Sequence, residues 1–92
     1  MTWELRQTRQ FACAYKKLHS SQQLDVDSAA RAVAECSSIG ERKKGGLSRL
    51  WVYKFNLQGQ VYLLGYTRED TISLIYLEAL GPHEKFYRDL KR

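Results

Sequence analysis

The fold is decided by one stretch, LWVYKFNLQGQVYLLGY, which spans residues 50–66. In its two halves, 50–55 and 61–66, the residue type changes with a period of two, and aromatic and β-branched residues are frequent. This pattern is typical of β-strands. The Gln-Gly pair at 58–59 is a turn signal. A similar apolar run follows at 71–78, after a second polar turn. Because the links are short, adjacent strands should be antiparallel, and the sequence predicts a three-stranded meander.

Two amphipathic helices are predicted before this meander. In residues 8–19, Phe11, Tyr15 and Leu18 recur at the spacing of one helical face. Thr8 has the side chain that an N-cap needs, because its hydroxyl can accept a hydrogen bond from a free backbone N–H.

The second helix is predicted to follow a polar break at 20–23. Either Asp25 or Asp27 is suitably placed to cap it, and small apolar residues then recur at helical spacing as far as Cys36. Two consecutive helices joined by a short connection predict a helical hairpin.

Shorter elements flank these segments. Residues 2–7 alternate as a short strand does, and Pro82 suits the first turn of a terminal helix over 83–90. Helices gathered before a meander favour the α+β class. The sequence therefore predicts a single α+β domain over residues 1–92, with an N-terminal strand, a helical hairpin packed on an antiparallel β-sheet of about four strands, and a short C-terminal helix.

The composition is that of a small basic globular domain. The chain has 92 residues, of which 43% are hydrophobic, and a formal net charge of +5. This length allows one core and leaves no room for a second lobe or a large cofactor. The positive charge favours a polyanionic partner, with nucleic acid as the first candidate.

The two cysteines, Cys13 and Cys36, lie neither in a CxxC motif nor at zinc-ligand spacing. We expect buried free thiols in a reducing compartment, with no metal site and no cofactor. The sequence shows no signal-peptide pattern and no apolar run of membrane-spanning length, so a cytoplasmic location without membrane contact is expected.

The segment GPHEKFYRDLKR, residues 81–92, concentrates chemistry at the end of the chain. It combines one histidine, two adjacent aromatic residues and four cationic side chains. A histidine can transfer protons near neutral pH, an aromatic ring can stack on a base, and cations pair with phosphates. This combination is what a protein needs to hold RNA and to cleave it.

Several strings, in this order along the chain, resemble the RelE/ParE superfamily of toxins from bacterial type II toxin–antitoxin systems. They are FACAYKKL (11–18), IGERKKGGL (39–47), VYKF (52–55), YLLGYT (62–67) and LGPHEKFYRDLK (80–91). The resemblance implies the fold predicted above and a cognate antitoxin that wraps the toxin. RelE-like members are ribosome-dependent endoribonucleases that cut mRNA, whereas ParE-like members inhibit DNA gyrase and lack the RNA-cutting residues.

The candidate catalytic residues follow from the chemistry of RNA cleavage and from this resemblance. His83 is the candidate acid or base, and Tyr87 would stack on a base or assist proton transfer. Phosphate charge would be stabilised by Lys54, which the strand pattern places on the face opposite Tyr53 and Phe55, and by Arg49 and Arg88. Phe86 is expected to pack onto the sheet.

A second group of cations is expected to contact the RNA backbone without reading its sequence. Most of these residues lie in the glycine-containing loop at 41–48 or in the tail. The candidate RNA-binding residues are Arg42, Lys43, Lys44, Arg68, Lys85, Lys91 and Arg92.

These assignments leave alternatives open. The alternative for His83 is a capping or packing residue at a helix start, and the alternative for each cation is a solvated surface charge. No second histidine or carboxylate is found where some superfamily members carry a base, so the remaining role would fall to Tyr87, Lys54 or a ribosomal group. The leading hypothesis is an mRNA interferase, the second is a gyrase-binding toxin, and the third is an inactive scaffold whose partner is the antitoxin.

Overall fold

The structure is a computed structural model that describes residues 3–42, 50–83 and 86. The elements, in chain order, are β1 (Glu4–Gln7), α1 (Arg9–Lys16), α2 (Ser20–Glu35), β2 (Glu41–Arg42), β3 (Trp51–Leu57), β4 (Gln60–Glu69), a 3₁₀ turn (Asp70–Ile72) and β5 (Leu74–Pro82). The strands form one sheet in the order β1-β5-β4-β3-β2. Strand β1 is parallel to β5, and the other pairs are antiparallel.

The predicted α+β class and meander are confirmed, but the described sheet has five strands where about four were expected. The additional strand, β2, falls in a segment interpreted as loop, and it pairs with Trp51 and Val52 of β3. A ladder of two residues is too short to leave a periodic pattern in the sequence. Because β1 pairs with β5 in parallel, the sheet is mixed. A parallel pair needs a long connection, and the chain between β1 and β5 passes through both helices and the β3–β4 hairpin.

The first helix begins as predicted, and the second begins earlier. The Thr8 hydroxyl accepts a hydrogen bond from the Phe11 N–H at 3.2 Å. Helix α2 starts at Ser20, so the expected polar break is its first turn, and the caps expected at Asp25 and Asp27 are wrong. The Gln22 side chain instead accepts from the His19 N–H at 3.0 Å, which satisfies a backbone donor at the helix start.

Asp27 has a different role from the expected cap. Its carboxylate accepts a hydrogen bond from the Tyr15 hydroxyl at 2.8 Å and so joins α1 to α2. This bond, followed by partial desolvation and the charge of Asp27, raises the pKa of the Tyr15 phenol. Cys13 and Cys36 are exposed, contrary to the expectation of buried thiols, because Cys13 points away from the sheet and Cys36 lies at the end of α2.

The last strand is displaced from its predicted bounds. It begins at Leu74 and not at residue 71, because a 3₁₀ turn occupies Asp70–Ile72 and Ser73 has a φ of 50°. It ends at Pro82, which pairs with Tyr62, so the proline closes the sheet and is not part of a helix. The backbone is helical at His83 and Phe86, and the rest of the predicted terminal helix lies outside the described residues.

The sheet is covered differently on its two faces. Both helices pack on one face, which we call the helix face, around a core that includes Phe11, Val26, Val33, Tyr66 and Ile75. The opposite face, which we call the open face, carries a smaller cluster: Leu50, Val52, Leu63, Ala79 and Phe86. The prediction that Phe86 packs onto the sheet is confirmed, since its side chain is 2% exposed.

Candidate functional site

A cleft of about 440 Å³ lies on the open face beside the β3–β4 turn. Two of the predicted catalytic residues, Lys54 and His83, line it together with Gly59, Gln60 and Val61. These two residues are far apart in the sequence, so the fold is what brings the ammonium and the imidazole to one place.

Lys54 is positioned by the alternation of β3. It lies opposite Leu63 of β4, while its neighbours Tyr53 and Phe55 pack against the core on the helix face. Successive side chains of a strand point to opposite faces, so Lys54 projects from the open face, where it is exposed. Its predicted orientation is confirmed, and its role stays a prediction.

His83 is positioned by the end of β5. Gly81 pairs with Leu63, the residue that also faces Lys54, so these three positions form a row across three strands. At the spacing of neighbouring strands, the Cα atom of Gly81 lies about 10 Å from that of Lys54. His83 follows two residues later and is exposed, so its imidazole is accessible to a ligand in the cleft.

The cleft combines two complementary chemical groups. An imidazole can accept and donate a proton near neutral pH, and an ammonium can pair with a phosphate oxygen. Of the described residues that line the cleft, His83 is the one imidazole, and none is a carboxylate. The arrangement therefore suits binding of a phosphodiester and one proton transfer.

A second polar cavity, of about 290 Å³, is lined by Arg42, Trp51, Arg68 and Asp70. The Arg68 guanidinium lies over the Trp3 and Trp51 rings, 5.2 Å and 4.9 Å from their centroids, and donates to Asp70 at 2.9 Å. Its Nε is buried and has no hydrogen-bond partner among the described residues. Both indoles therefore hold the guanidinium in place at the far end of the helix face.

Arg42 and Arg68 are thus brought together, but away from the other candidates. Arg68 lies five residues beyond Leu63 along β4, which corresponds to about 16 Å at the rise of a strand, and on the opposite face from Lys54. A single RNA strand that reached both groups would have to pass around the sheet. The RNA-binding roles of Arg42 and Arg68 stay predictions.

The family model of the ParE-like toxin of type II bacterial toxin–antitoxin systems matches residues 5–91, nearly the whole chain. The chain belongs to this family. The expected membership of the RelE/ParE superfamily is therefore confirmed, and we refer to the protein below as the toxin. No curated protein matches the sequence significantly.

Solved structures of toxins share the fold of this chain. The toxin–antitoxin complex RelBE2 from Mycobacterium tuberculosis aligns with a TM-score of 0.79 and 14% identity, covering 90% of this chain and 100% of that chain. A variant of the Escherichia coli toxin RelE in the free state aligns with a TM-score of 0.73 and 20% identity, covering 91% and 86%. The intact E. coli RelBE complex aligns with a TM-score of 0.70 and 20% identity, covering 87% and 95%. At these identities the likeness shows the fold alone.

Several predicted site residues of the toxin fall outside the described residues. Among the catalytic candidates they are Arg49, Tyr87 and Arg88, and among the RNA-binding candidates Lys43, Lys44, Lys85, Lys91 and Arg92. Their roles stay predictions. Over the described ranges, no group of three or more His, Cys, Asp or Glu side chains could hold a metal ion, and no helix is long and apolar enough to cross a membrane.

Two residues of β4 that sequence reasoning passed over fix neighbouring parts of the toxin's fold. Gly65 lies in the middle of β4, and an added Cβ there would approach Phe86 Cζ to 2.8 Å, so the ring rests directly on the strand. Tyr66 anchors the segment after α2 from the helix face, and burial raises the pKa of its phenol. A glycine inside a strand is itself a signal of close approach by another group. Nothing in the sequence marks Tyr66 apart from other strand tyrosines.

Proposed function

We propose that this toxin is an endoribonuclease that cleaves mRNA on the ribosome, an mRNA interferase, and thereby blocks translation. The observation that carries the proposal is the shared cleft of His83 and Lys54 on the open face. The site is open to solvent and lies at the surface of a basic protein, as access by a nucleic-acid strand requires.

The cleavage step needs few protein groups. The ribose 2′-oxygen attacks the adjacent phosphorus and loses its proton to a base, while the bond from phosphorus to the 5′-oxygen breaks and an acid protonates the leaving oxygen. The products are a 2′,3′-cyclic phosphate and a 5′-hydroxyl, and the reaction consumes no cofactor. His83 supplies one of the two proton transfers, and the Lys54 ammonium stabilises the negative charge that accumulates on the phosphate oxygens.

The described residues of the cleft include one imidazole, whereas the reaction uses two proton transfers. This favours a target that completes the site, because an mRNA held on the ribosome is already positioned and is surrounded by further functional groups. Tyr87, four residues after His83, and Lys54 itself are the other candidates for the second role. The resemblance to RelE-like members, noted from the sequence, is what directs the proposal to the ribosome.

The test is cleavage of mRNA on programmed ribosomes by the purified toxin, read by primer extension. His83→Ala and Lys54→Ala should each lower the cleavage rate by about a hundredfold or more, as is usual for loss of an acid–base or charge-stabilising group. Matched controls are available in His19→Ala and Lys16→Ala, which remove the other histidine, at the start of α2, and another exposed lysine, in α1. Intact mRNA with the wild-type toxin, or equal cleavage by His83→Ala and wild type, would reject the nuclease.

Inhibition of DNA gyrase is the second candidate, and the description of the matching family as ParE-like favours it. In that case the basic surface binds a protein–DNA target, and His83 has no chemical task. A gyrase supercoiling assay run in parallel separates the two proposals. Loss of supercoiling at the same dose for wild type and His83→Ala, with mRNA intact, would establish the gyrase inhibitor.

Either target implies the same cellular arrangement. As a toxin of a type II system, the protein has a cognate antitoxin as its partner. Ribosomes, mRNA and gyrase are all reached from the cytoplasm, so we place the toxin there. We expect a small reading frame beside that of the toxin to encode the antitoxin, and co-expression of its product should restore growth and yield a stable complex on purification.

A further inference from the structure

Phe86 connects the tail of the chain to the centre of the sheet. Its side chain is 2% exposed and belongs to the open-face cluster with Leu50, Val52, Leu63 and Ala79. The backbone is helical at both His83 and Phe86, and the two residues are three positions apart, so the buried ring is close in sequence to the exposed imidazole.

The place where the ring rests is formed by two small residues. Gly65 of β4 pairs directly with Ala79 of β5, and a β-bulge follows between Gly65 and Tyr66. A Cβ on Gly65 would lie 2.8 Å from Phe86 Cζ and 3.3 Å from Leu50 Cδ1. Real Cβ atoms do not approach carbon so closely, so the absence of a side chain at position 65 is what admits the ring.

We propose that Phe86 is a positioning residue: its ring, seated on Gly65 and Ala79, holds His83 at the Lys54 cleft. The pairing of Pro82 with Tyr62 fixes the chain one residue before His83, and the packing of Phe86 fixes it three residues after, so His83 lies between two fixed points on the sheet. This inference rests on the proposed nuclease function for its consequence in catalysis. The placement of His83 can be measured independently of that function.

The measurement is the NMR signal of the histidine ring protons in the purified toxin. The chain contains two histidines, so His19, at the start of α2, serves as an internal reference. In Phe86→Ala and in Gly65→Ala, the His83 signal should move toward the position of a histidine in an unstructured peptide, while the His19 signal stays. A milder variant, Phe86→Leu, serves if Phe86→Ala fails to fold.

A size-compensating pair gives the sharper test. A leucine side chain at position 86 is shorter than that of phenylalanine and does not reach the Cζ position that a Cβ at residue 65 would meet. The double variant Gly65→Ala with Phe86→Leu should therefore keep His83 closer to its wild-type position than Gly65→Ala alone. Cleavage on ribosomes should fall about a hundredfold in Gly65→Ala, the cost expected when a catalytic group is displaced by about 1 Å, and should recover in part in the double variant.

A control on the helix face separates displacement of His83 from loss of stability. Val26→Ala opens a cavity in the other core, where Val26 is 1% exposed, so it should lower Tm without moving the His83 signal. An unchanged His83 signal in Phe86→Ala, or His83 and His19 signals that move together, would overturn the proposal. A selective shift of His83 in a toxin that cleaves no mRNA would support the positioning role and reject the nuclease.

Discussion

Tyr66 shows at the scale of one residue how a buried polar group fixes the path of the chain. Its side chain is fully buried on the helix face, and its hydroxyl donates to the Ser37 carbonyl at 2.8 Å and accepts from the Gly40 N–H at 3.0 Å. A Cβ on Gly40 would lie 2.6 Å from that hydroxyl, so the glycine is needed for the close approach. One phenol thereby fastens the segment between α2 and β2.

Replacement of Tyr66 by phenylalanine should therefore lower the free energy of unfolding. Both hydrogen bonds are lost, and the Ser37 carbonyl and the Gly40 N–H lose a buried partner, so we expect a decrease of about 2 kcal/mol. Urea denaturation followed by circular dichroism measures it. Tyr76→Phe is the matched control, because Tyr76 is 40% exposed on β5, and it should change stability by less than about 0.5 kcal/mol. Equal effects of the two substitutions would show that the hydroxyl of Tyr66 contributes nothing to stability.

The β3–β4 hairpin is the element on which the site depends, because its turn forms one wall of the cleft. Leu57 pairs with Gln60, and the two residues between them have φ values of 51° at Gln58 and 87° at Gly59. Positive φ at both central residues is what a type I′ turn requires, and its twist matches that of the strands. Glycine adopts such a conformation without steric cost.

Gly59→Ala should destabilise the hairpin by about 1 kcal/mol through backbone strain alone, because an added Cβ meets no described atom within 4 Å. Gly81→Ala makes the same chemical change in β5, also with no described atom within 4 Å and without a positive φ. It should leave stability unchanged or raise it slightly. Thermal unfolding of the two variants beside the wild type measures the difference. If Gly81→Ala is as destabilising as Gly59→Ala, the turn conformation is not the cause.

At the scale of the element, the sequence predicted whether each major segment is a helix or a strand more accurately than the residues at which it begins and ends. The turn at 58–59 and the cap at Thr8 were predictable because each depends on one local interaction. The start of α2 was not, because the side chain of Gln22 satisfies the free N–H of His19 in a stretch that looks like a polar linker. Strand β2 was not predictable either. Its two residues are defined by their pairing with β3 and not by any local preference of the sequence.

At the scale of the whole molecule, the sheet separates the candidate residues into two groups. The register of β3, β4 and β5 brings Lys54 and His83 to one cleft on the open face. The sequence could nominate both residues by type and could orient Lys54 by alternation, but their proximity depends on long-range pairing. Arg68 was nominated on charge and on the resemblance, and its contacts with the Trp3 and Trp51 rings depend on side chains that are far apart in the sequence.

This separation predicts how the toxin should respond to salt. The net charge of +5 gives the whole surface an attraction for RNA, but only cations that contact phosphates release counterions on binding. The logarithm of the association constant for a short single-stranded RNA should fall linearly with the logarithm of salt concentration, by about 0.7 per phosphate contact.

Lys54→Ala should reduce that slope by about one contact. Lys16→Ala, which removes an exposed lysine of α1 on the other side of the sheet, should leave it unchanged. Fluorescence anisotropy with a labelled oligonucleotide at four or five salt concentrations measures the slopes. Equal slopes for Lys54→Ala and wild type would mean that the strand does not enter the cleft, whereas a reduction in both variants would mean that RNA binds by diffuse charge and not at the open face.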